Sequence, residues 1–271
     1  MNDYSSPLRA DANAGRVALV TGGGTGIGRA TALELAGSGA RVAVCGRREE
    51  PLARVREEVE RGGGECLAVP ADLREPRDVE RVVGAVLERF GALDVLVNNA
   101  GGQFAAPAET ISDNGWRAVA RLNVDAVWRL TRTAATRAMI PAHRGLVVFV
   151  GLSPLRGMPG FAHAIAARAA SGSLATSLAL EWSRYGIRSV CIAPGSIRTE
   201  GLDNYDPGDI AEWERSVPLG RLGRPEEVGA LIAFLATPGG AYVTGTTIVV
   251  DGGADAWGVG TPPPAVEEGV R

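Results

Sequence analysis

Thr21-Gly22-Gly23-Gly24-Thr25-Gly26-Ile27-Gly28 decides the fold. The run before it, Arg16-Val17-Ala18-Leu19-Val20, has strand character; after it, Ile27, Ala30, Leu33, Leu35 and Ala36 carry helical spacing. Strand, glycine turn and helix start in that order make a phosphate cradle. Glycine lets the backbone turn tightly and approach a pyrophosphate, and the helix start supplies unpaired N–H groups and a partial positive charge. A glycine cluster alone is a weak signal; here its flanks are those the motif requires. Gly22, Thr25, Gly26, Ile27 and Gly28 are therefore expected to hold the phosphates of a nucleotide cofactor.

The same alternation repeats along the chain. Apolar runs at Arg41–Cys45, Leu67–Pro70, Leu93–Val97, Leu146–Val150, Ile187–Ala193 and Thr246–Val250 read as further strands. Helical stretches lie between them, starting near Arg47, Glu75, Ser112, Phe161 and Arg224. The stretches Ser112–Ile140 and Phe161–Tyr185 read as two long helices. Such alternation predicts an α/β fold, a Rossmann-like doubly wound parallel sheet of about seven strands with helices on both faces. One domain is expected over 15–253, with a flexible arm at 1–14, a helical substrate lid at 196–218 and a loose tail at 254–271. Most of the residues singled out here fall just after strand ends, where ligands bind in such sheets.

Composition narrows the class. The net charge of −3 and short basic clusters give no sign of a nucleic-acid partner. No apolar run approaches a membrane span, and no signal-peptide core is visible, so a cytoplasmic protein is expected. Cys45, Cys66 and Cys191 lie in or beside strand-like runs; their spacing fits neither a closed disulfide set nor a zinc site, and no metal is expected. All 28 basic residues are arginine. Lysine Schiff-base chemistry, and any lysine ammonium that would lower a neighbour's pKa, are thereby excluded.

The second strand ends Val44-Cys45-Gly46 without the carboxylate that would hold the ribose hydroxyls of NAD, and Arg47-Arg48 follow. Two guanidinium groups there suit a 2′-phosphate, and cations at a helix start oppose its dipole, which an ordinary solvated start would avoid. NADP(H) is the expected cofactor. Asp72, with Leu73 beside it, could hold the adenine edge or cap a turn.

TGGGTGIG, Asp72, Asn98-Asn99-Ala100-Gly101, Asn123, Pro194-Gly195 and Val250-Asp251-Gly252-Gly253 occur in this order. Together they make the chain resemble the short-chain dehydrogenases/reductases from about Arg16 to Gly253. The resemblance implies a nicotinamide cofactor and a homotetramer built through the two long helices and the last strand. By family role, Asn99, Ala100 and Gly101 line the adenosine side. Pro194, Gly195 and Ile197 continue the cofactor wall, and Thr199 meets the nicotinamide carboxamide. Asn123 kinks its helix and holds a water of the proton relay.

The same resemblance exposes a departure. The family's common site has a serine after the fifth strand, a tyrosine acid, and a lysine four residues beyond it. This chain places Gly151, Ala164 and Arg168 there, with Ser153 the nearest hydroxyl. Gly101-Gly102-Gln103-Phe104, Asn114-Gly115-Trp116 and Leu178-Ala179-Leu180-Glu181-Trp182 look like the peroxisomal trans-2-enoyl-CoA reductases. The stretches Thr199-Glu200-Gly201 and Arg221-Leu222-Gly223 are similar to the 2,4-dienoyl-CoA reductases.

Reducing a ketone makes an alkoxide that needs a positioned acid; hydride addition to an enoyl thioester makes a delocalised enolate that hydrogen-bond donors can hold. An NADPH-dependent enoyl-thioester reductase is the first expectation, acting on an acyl-CoA or carrier-bound acyl group. Catalytic candidates are Asn123, Ser153, Arg168 and His163, with Arg168 also on the cofactor ribose. Gln103, Phe104, Gly151, Leu152 and the lid's Tyr205 are candidates for contact with a small-molecule substrate. Two alternatives stand beside it: reduction of an imine or activated carbonyl, with the proton from substrate, lid or water, and a non-redox binding protein or catalyst on the same scaffold.

Overall fold

A computed structural model describes residues 4–152, 158–204 and 206–257. In chain order it runs β1 (Val17–Thr21), α1 (Gly26–Gly37), β2 (Arg41–Gly46), α2 (Glu49–Arg61), β3 (Cys66–Pro70), α3 (Pro76–Phe90) and β4 (Val95–Asn98). The long helix that follows joins α4 (Asp113–Ala120), α5 (Val127–Ala134) and α6 (Ile140–Ala142) through π-helical turns at Arg121–Ala126 and Ala135–Met139. Then come β5 (Gly145–Val150), α7 (Ala162–Trp182), β6 (Ile187–Pro194), α8 (Pro207–Ser216), α9 (Pro225–Ala236), β7 (Thr246–Val250) and α10 (Ala254–Trp257).

The seven strands form one parallel sheet ordered β3-β2-β1-β4-β5-β6-β7. Alternate residues of each strand enter opposite layers, as strand pleating requires. Val17 and Leu19 pack with Val82 and Val86 of α3, Leu130 of α5 and Leu178 of α7. Ala18 and Val20 pack with Leu35 of α1, Val55 of α2 and Ile232 of α9. Burial on both faces explains why the strands read as unbroken apolar runs. The strand order reverses at β1, so the connections leaving β1 and β4 run to opposite faces and open the crevice where ligands bind in such sheets.

Three expectations need adjustment. The fourth strand starts at Val95, because buried Asp94 is turned to other work: its carboxylate accepts the Val17 N–H at 2.9 Å and pairs with Arg144 at 2.7 Å. The Ser112–Ile140 helix is not uniformly α-helical. The N-terminal segment, expected to be a flexible arm, is tied down where it is described: Asn13 is 1% exposed, and its Nδ2 donates to Ser38 Oγ at 2.9 Å and to the Ala233 carbonyl at 3.0 Å.

Candidate active site

The glycine turn is stitched to the neighbouring strand. Thr21 Oγ1 accepts the N–H groups of Asn99 (2.9 Å) and Ala100 (2.8 Å), while Asn99 Nδ2 donates to the Thr21 carbonyl at 2.9 Å. Gly22 sits at φ +62°, in the left-handed region. At Gly28 the constraint is close approach: a Cβ would stand 2.2 Å from the Gly22 carbonyl and 2.5 Å from Asn99 Nδ2. The site can hold an anion, because it already holds one. Glu200 Oε2 accepts the N–H of Gly26 at 3.1 Å, so a carboxylate from the segment after β6 occupies the positive end of α1. Ile27 is half-buried in the first turn of the same helix.

Beside the turn lies a cavity of about 330 Å³. Gly22, Thr25, Arg47, Arg48, Asp72, Leu73, Asn99, Ala100 and Gly101 all line it, so the structure gathers these predicted residues around one space. The sequence reading missed Arg74, which lines it too. Arg74 Nε reaches both Asp72 oxygens, at 2.9 and 3.1 Å, and Asp72 Oδ1 also accepts the Arg74 N–H at 3.1 Å. The Arg74 side chain thereby holds the Asp72 carboxyl below its ordinary range. Asp72 thus lines the cavity and caps its turn.

The second half of the predicted site is the wall between α7 and the π turn. Arg168 Nη1 donates to the Val150 carbonyl at 2.6 Å, at the end of β5. Its other end lies against Gly101, where a Cβ would be 2.1 Å from Arg168 Nη2 and 2.6 Å from Asn123 Oδ1. Burial pulls the Arg168 pKa below its ordinary value. Asn123 Nδ2 donates to the Gly102 and Val119 carbonyls at 2.8 and 3.0 Å, and Oδ1 accepts the Gly102 N–H at 3.3 Å. Both amide hydrogens are used, which leaves Asn123 only acceptor capacity for a ligand.

Gly151 does not offer a donor to substrate. Its N–H already bonds the Ile192 carbonyl at 2.8 Å, because the sheet ladder continues past the end of β5. Leu152, beside it, is half-buried. Ala164, in the place the family resemblance gives to tyrosine, is 1% exposed. His163 is 2% exposed, neither ring nitrogen has a partner among the described residues, and the Phe104 ring lies 4.3 Å away. Phe104 fits because position 115 is glycine; a Cβ there would meet its ring at 2.9 Å. Gln103 is exposed beside it.

On the lid side, Gly195 packs against Asp251, Pro194 pairs with Val250, and buried Ile197 bridges to Gly223. A Cβ at Gly26 would lie 3.2 Å from Thr199 Cγ2, so Thr199 stands at the glycine turn. Ser153 and Tyr205 lie outside the described residues. The other three tyrosines are engaged elsewhere or exposed: Tyr4 donates to the Glu226 carbonyl, Tyr185 stands against His143, and Tyr242 is exposed.

A glycine turn with a cavity beside it, at the reversal point of a seven-stranded parallel sheet, is the arrangement of Rossmann-like nucleotide-binding folds. The comparisons agree. The family model described as enoyl-(acyl carrier protein) reductase matches residues 22–255. A Bacillus subtilis (strain 168) protein named "Probable 2,4-dienoyl-CoA reductase" is 36% identical over 243 residues, spanning 88% of this chain and 96% of the relative. The 3-oxoacyl-(acyl-carrier-protein) reductase of Synechocystis sp. is 36% identical over 241 residues, with 88% and 96% covered. A solved structure from Beutenbergia cavernae, assigned as an NAD(P)-dependent gluconate 5-dehydrogenase with NADP at low occupancy, superposes with a TM-score of 0.84. It is 37% identical, with 90% of this chain and 98% of that one covered. The chain belongs to the short-chain dehydrogenase/reductase family, whose members use NAD(P) on small-molecule substrates.

Proposed function

We propose that the protein is an NADPH-dependent reductase of an activated carbon–carbon double bond, with an enoyl thioester as its substrate. The observation that carries this reading is the wall of Arg168, Asn123 and Gly101, with buried alanine at 164. A fixed cation stands where the family resemblance puts lysine, and a methyl group stands where it puts the phenol.

Bound NADPH supplies a hydride. Arg47 and Arg48 hold its 2′-phosphate, and the first turn of α1 takes the pyrophosphate in place of Glu200. Arg168 has N–H groups beyond the one given to Val150; these hold the cofactor ribose and add positive potential where negative charge develops on the thioester oxygen. Water protonates the α-carbon afterwards, so no acid of matched pKa is needed in the hydride step. Phe104, exposed and packed on the His163 ring, offers an apolar surface to the acyl chain. The relatives named for dienoyl-CoA and acyl-carrier substrates support an acyl group carried on CoA or a carrier protein.

The 3-oxoacyl relative favours a second reading, reduction of an activated carbonyl or imine with the proton supplied by substrate, lid or water. The assay is consumption of NADPH, followed by its absorbance, with short- and medium-chain enoyl-CoAs and a parallel carbonyl and imine panel. Turnover of enoyl-CoA alone supports the first reading, and turnover of the carbonyl or imine panel alone replaces it. Tight NADPH binding with no consumption by any member makes the chain a non-redox protein.

A homotetramer is part of the proposal. Trp128 on α5, Leu180 on α7 and Val249 on the edge strand β7 are exposed in the single chain, on the elements a family tetramer uses. All three cysteines are free thiols, in keeping with a reducing cytoplasm. Among the described residues, no helix is long and apolar enough to cross a membrane.

A further inference from the structure

Four charged side chains line the adenosine-side cavity: Arg47, Arg48, Asp72 and Arg74. Asp72 is the one that would repel a phosphate, and it is also the one that is gripped. Arg74 Nε lies 2.9 and 3.1 Å from its two oxygens, and the Arg74 backbone N–H donates to Oδ1 at 3.1 Å. The Asp72 N–H is held in turn by Asp78 Oδ2 at 2.7 Å, which fixes the turn that brings Arg74 onto the carboxylate. Neither Arg47 nor Arg48 is gripped in this way by a described carboxylate; Arg47 adds a weaker, through-space pull on Asp72, last among the causes that lower its pKa.

From this geometry we infer that Arg74 is a specificity-determining residue: it masks the Asp72 charge, so that Arg47 and Arg48 are left to face a 2′-phosphorylated adenosine and not that carboxylate. The inference rests on the NADP(H) reading proposed above and deepens it. Arg74 and Asp72 cancel as a pair, leaving Arg47 and Arg48 to meet a phosphate that carries close to two negative charges at neutral pH. Without Arg74 the same cavity would hold a bare carboxylate among its cations. Asp72 follows β3 and not β2, but it shares the cavity with Arg47 and Arg48, so its bare charge would act against a phosphate held there. Selectivity is thus set by the two arginines that attract and by a third that removes the repulsion, since discrimination depends on both.

The experiment is a fluorescence titration of the whole protein with NADP⁺, NAD⁺, adenosine 2′,5′-bisphosphate and AMP. It compares wild type with Arg74→Leu, Asp72→Asn, the Arg74→Leu/Asp72→Asn pair and Arg47→Ala/Arg48→Ala. Arg74→Leu is expected to weaken both 2′-phosphorylated ligands about tenfold and leave NAD⁺ and AMP within about twofold. Adding Asp72→Asn is expected to restore the lost affinity, because neutralising the carboxylate makes its mask unnecessary. An unchanged NADP⁺/NAD⁺ ratio in Arg74→Leu overturns the inference, and so does failure of Asp72→Asn to rescue it, which would make Arg74 a direct phosphate ligand. The cofactor reading fails separately: wild type would then bind both dinucleotides equally, and Arg47→Ala/Arg48→Ala would not change the ratio. That outcome takes the inference down with it. Circular dichroism melts of each variant confirm folding.

Discussion

The Glu200 carboxylate accepts the N–H of Gly26, 174 residues earlier in the chain, at 3.1 Å. The segment after β6 thus puts its own anion on the positive end of α1, where the proposal above places the pyrophosphate. On that proposal, incoming cofactor displaces it. Glu200→Gln is therefore expected to tighten NADP(H) by several-fold, up to about tenfold, since the bond lost is charge-assisted. Fluorescence titration measures it; unchanged or weaker binding would remove Glu200 from the competition.

Gly101 is the joint between the two halves of the site. In Gly101→Ala, the new methyl group would stand 2.1 Å from Arg168 Nη2, forcing the guanidinium off its place. The expected cost is about 1–3 kcal/mol of stability, together with loss of most turnover. A thermal melt and a steady-state assay read the two effects, and a variant of normal activity would contradict the packing described here.

Restoring a phenol on α7 should be costly. Ala164 is 1% exposed, so Ala164→Tyr overpacks its surroundings and is expected to lower the Tm by about 5 °C. Combined with Arg168→Lys it recreates the family's residue pair in sequence only, and little carbonyl reduction is expected. A stable double variant that reduces ketones briskly would show that room for the ring exists.

Glu227 ties the start of α9 to the loop before it. Its carboxylate accepts from Arg221 at 2.7 and 2.9 Å and from the Arg224 N–H at 2.7 Å. The Arg221 side chain pulls its pKa from 4.5 to about 2. A depressed carboxylate contributes stability above its unfolded value and loses it as the pH falls through the folded one. Glu227→Gln should therefore be less stable than wild type at pH 7, by about 1 kcal/mol. The gap should narrow between pH 5 and about pH 2. Denaturant melts across that range test the sign; a gap that widens on acidification would refute it.

Burial pushes the Cys45 and Cys66 thiols up to about 12 and raises that of Cys191 as well. The reactive thiolate is thus scarce at pH 8, and Ellman's reagent is expected to label the native protein slowly and the denatured protein fully. Fast labelling of the native chain would place at least one of these thiols in solvent.

The strands and the glycine turn were legible because both depend on neighbours in sequence. Val17–Thr21 and Thr246–Val250 are short apolar runs, and a parallel sheet buried on both faces leaves just that trace. That the residues around the cavity beside the glycine turn would come together was legible for a related reason: each follows a strand end, and topology gathers strand ends. The grip of Arg74 on Asp72 depends on the path of one turn, which residue spacing does not encode. The reach of Glu200 to Gly26 depends on the path of the segment after β6, 174 residues further along the chain. The engagement of the Gly151 N–H was hidden because nothing in Val150-Gly151-Leu152 marks where the ladder stops. Asn13 escaped for the opposite reason: a polar, small-residue stretch looks loose until its amide finds the Ala233 carbonyl.

The π turn at Arg121–Ala126 is a helix carrying one surplus residue, absorbed as a wider coil. Asn123 sits within it, and its amide closes on Gly102 while filling the carbonyl at Val119. Deleting a single residue there would let the coil relax to ordinary pitch and keep both flanking segments helical. It would also swing Asn123 about 100° around the axis, away from Gly102. A shortening invisible to overall helicity would then unlatch the wall that Arg168 leans on.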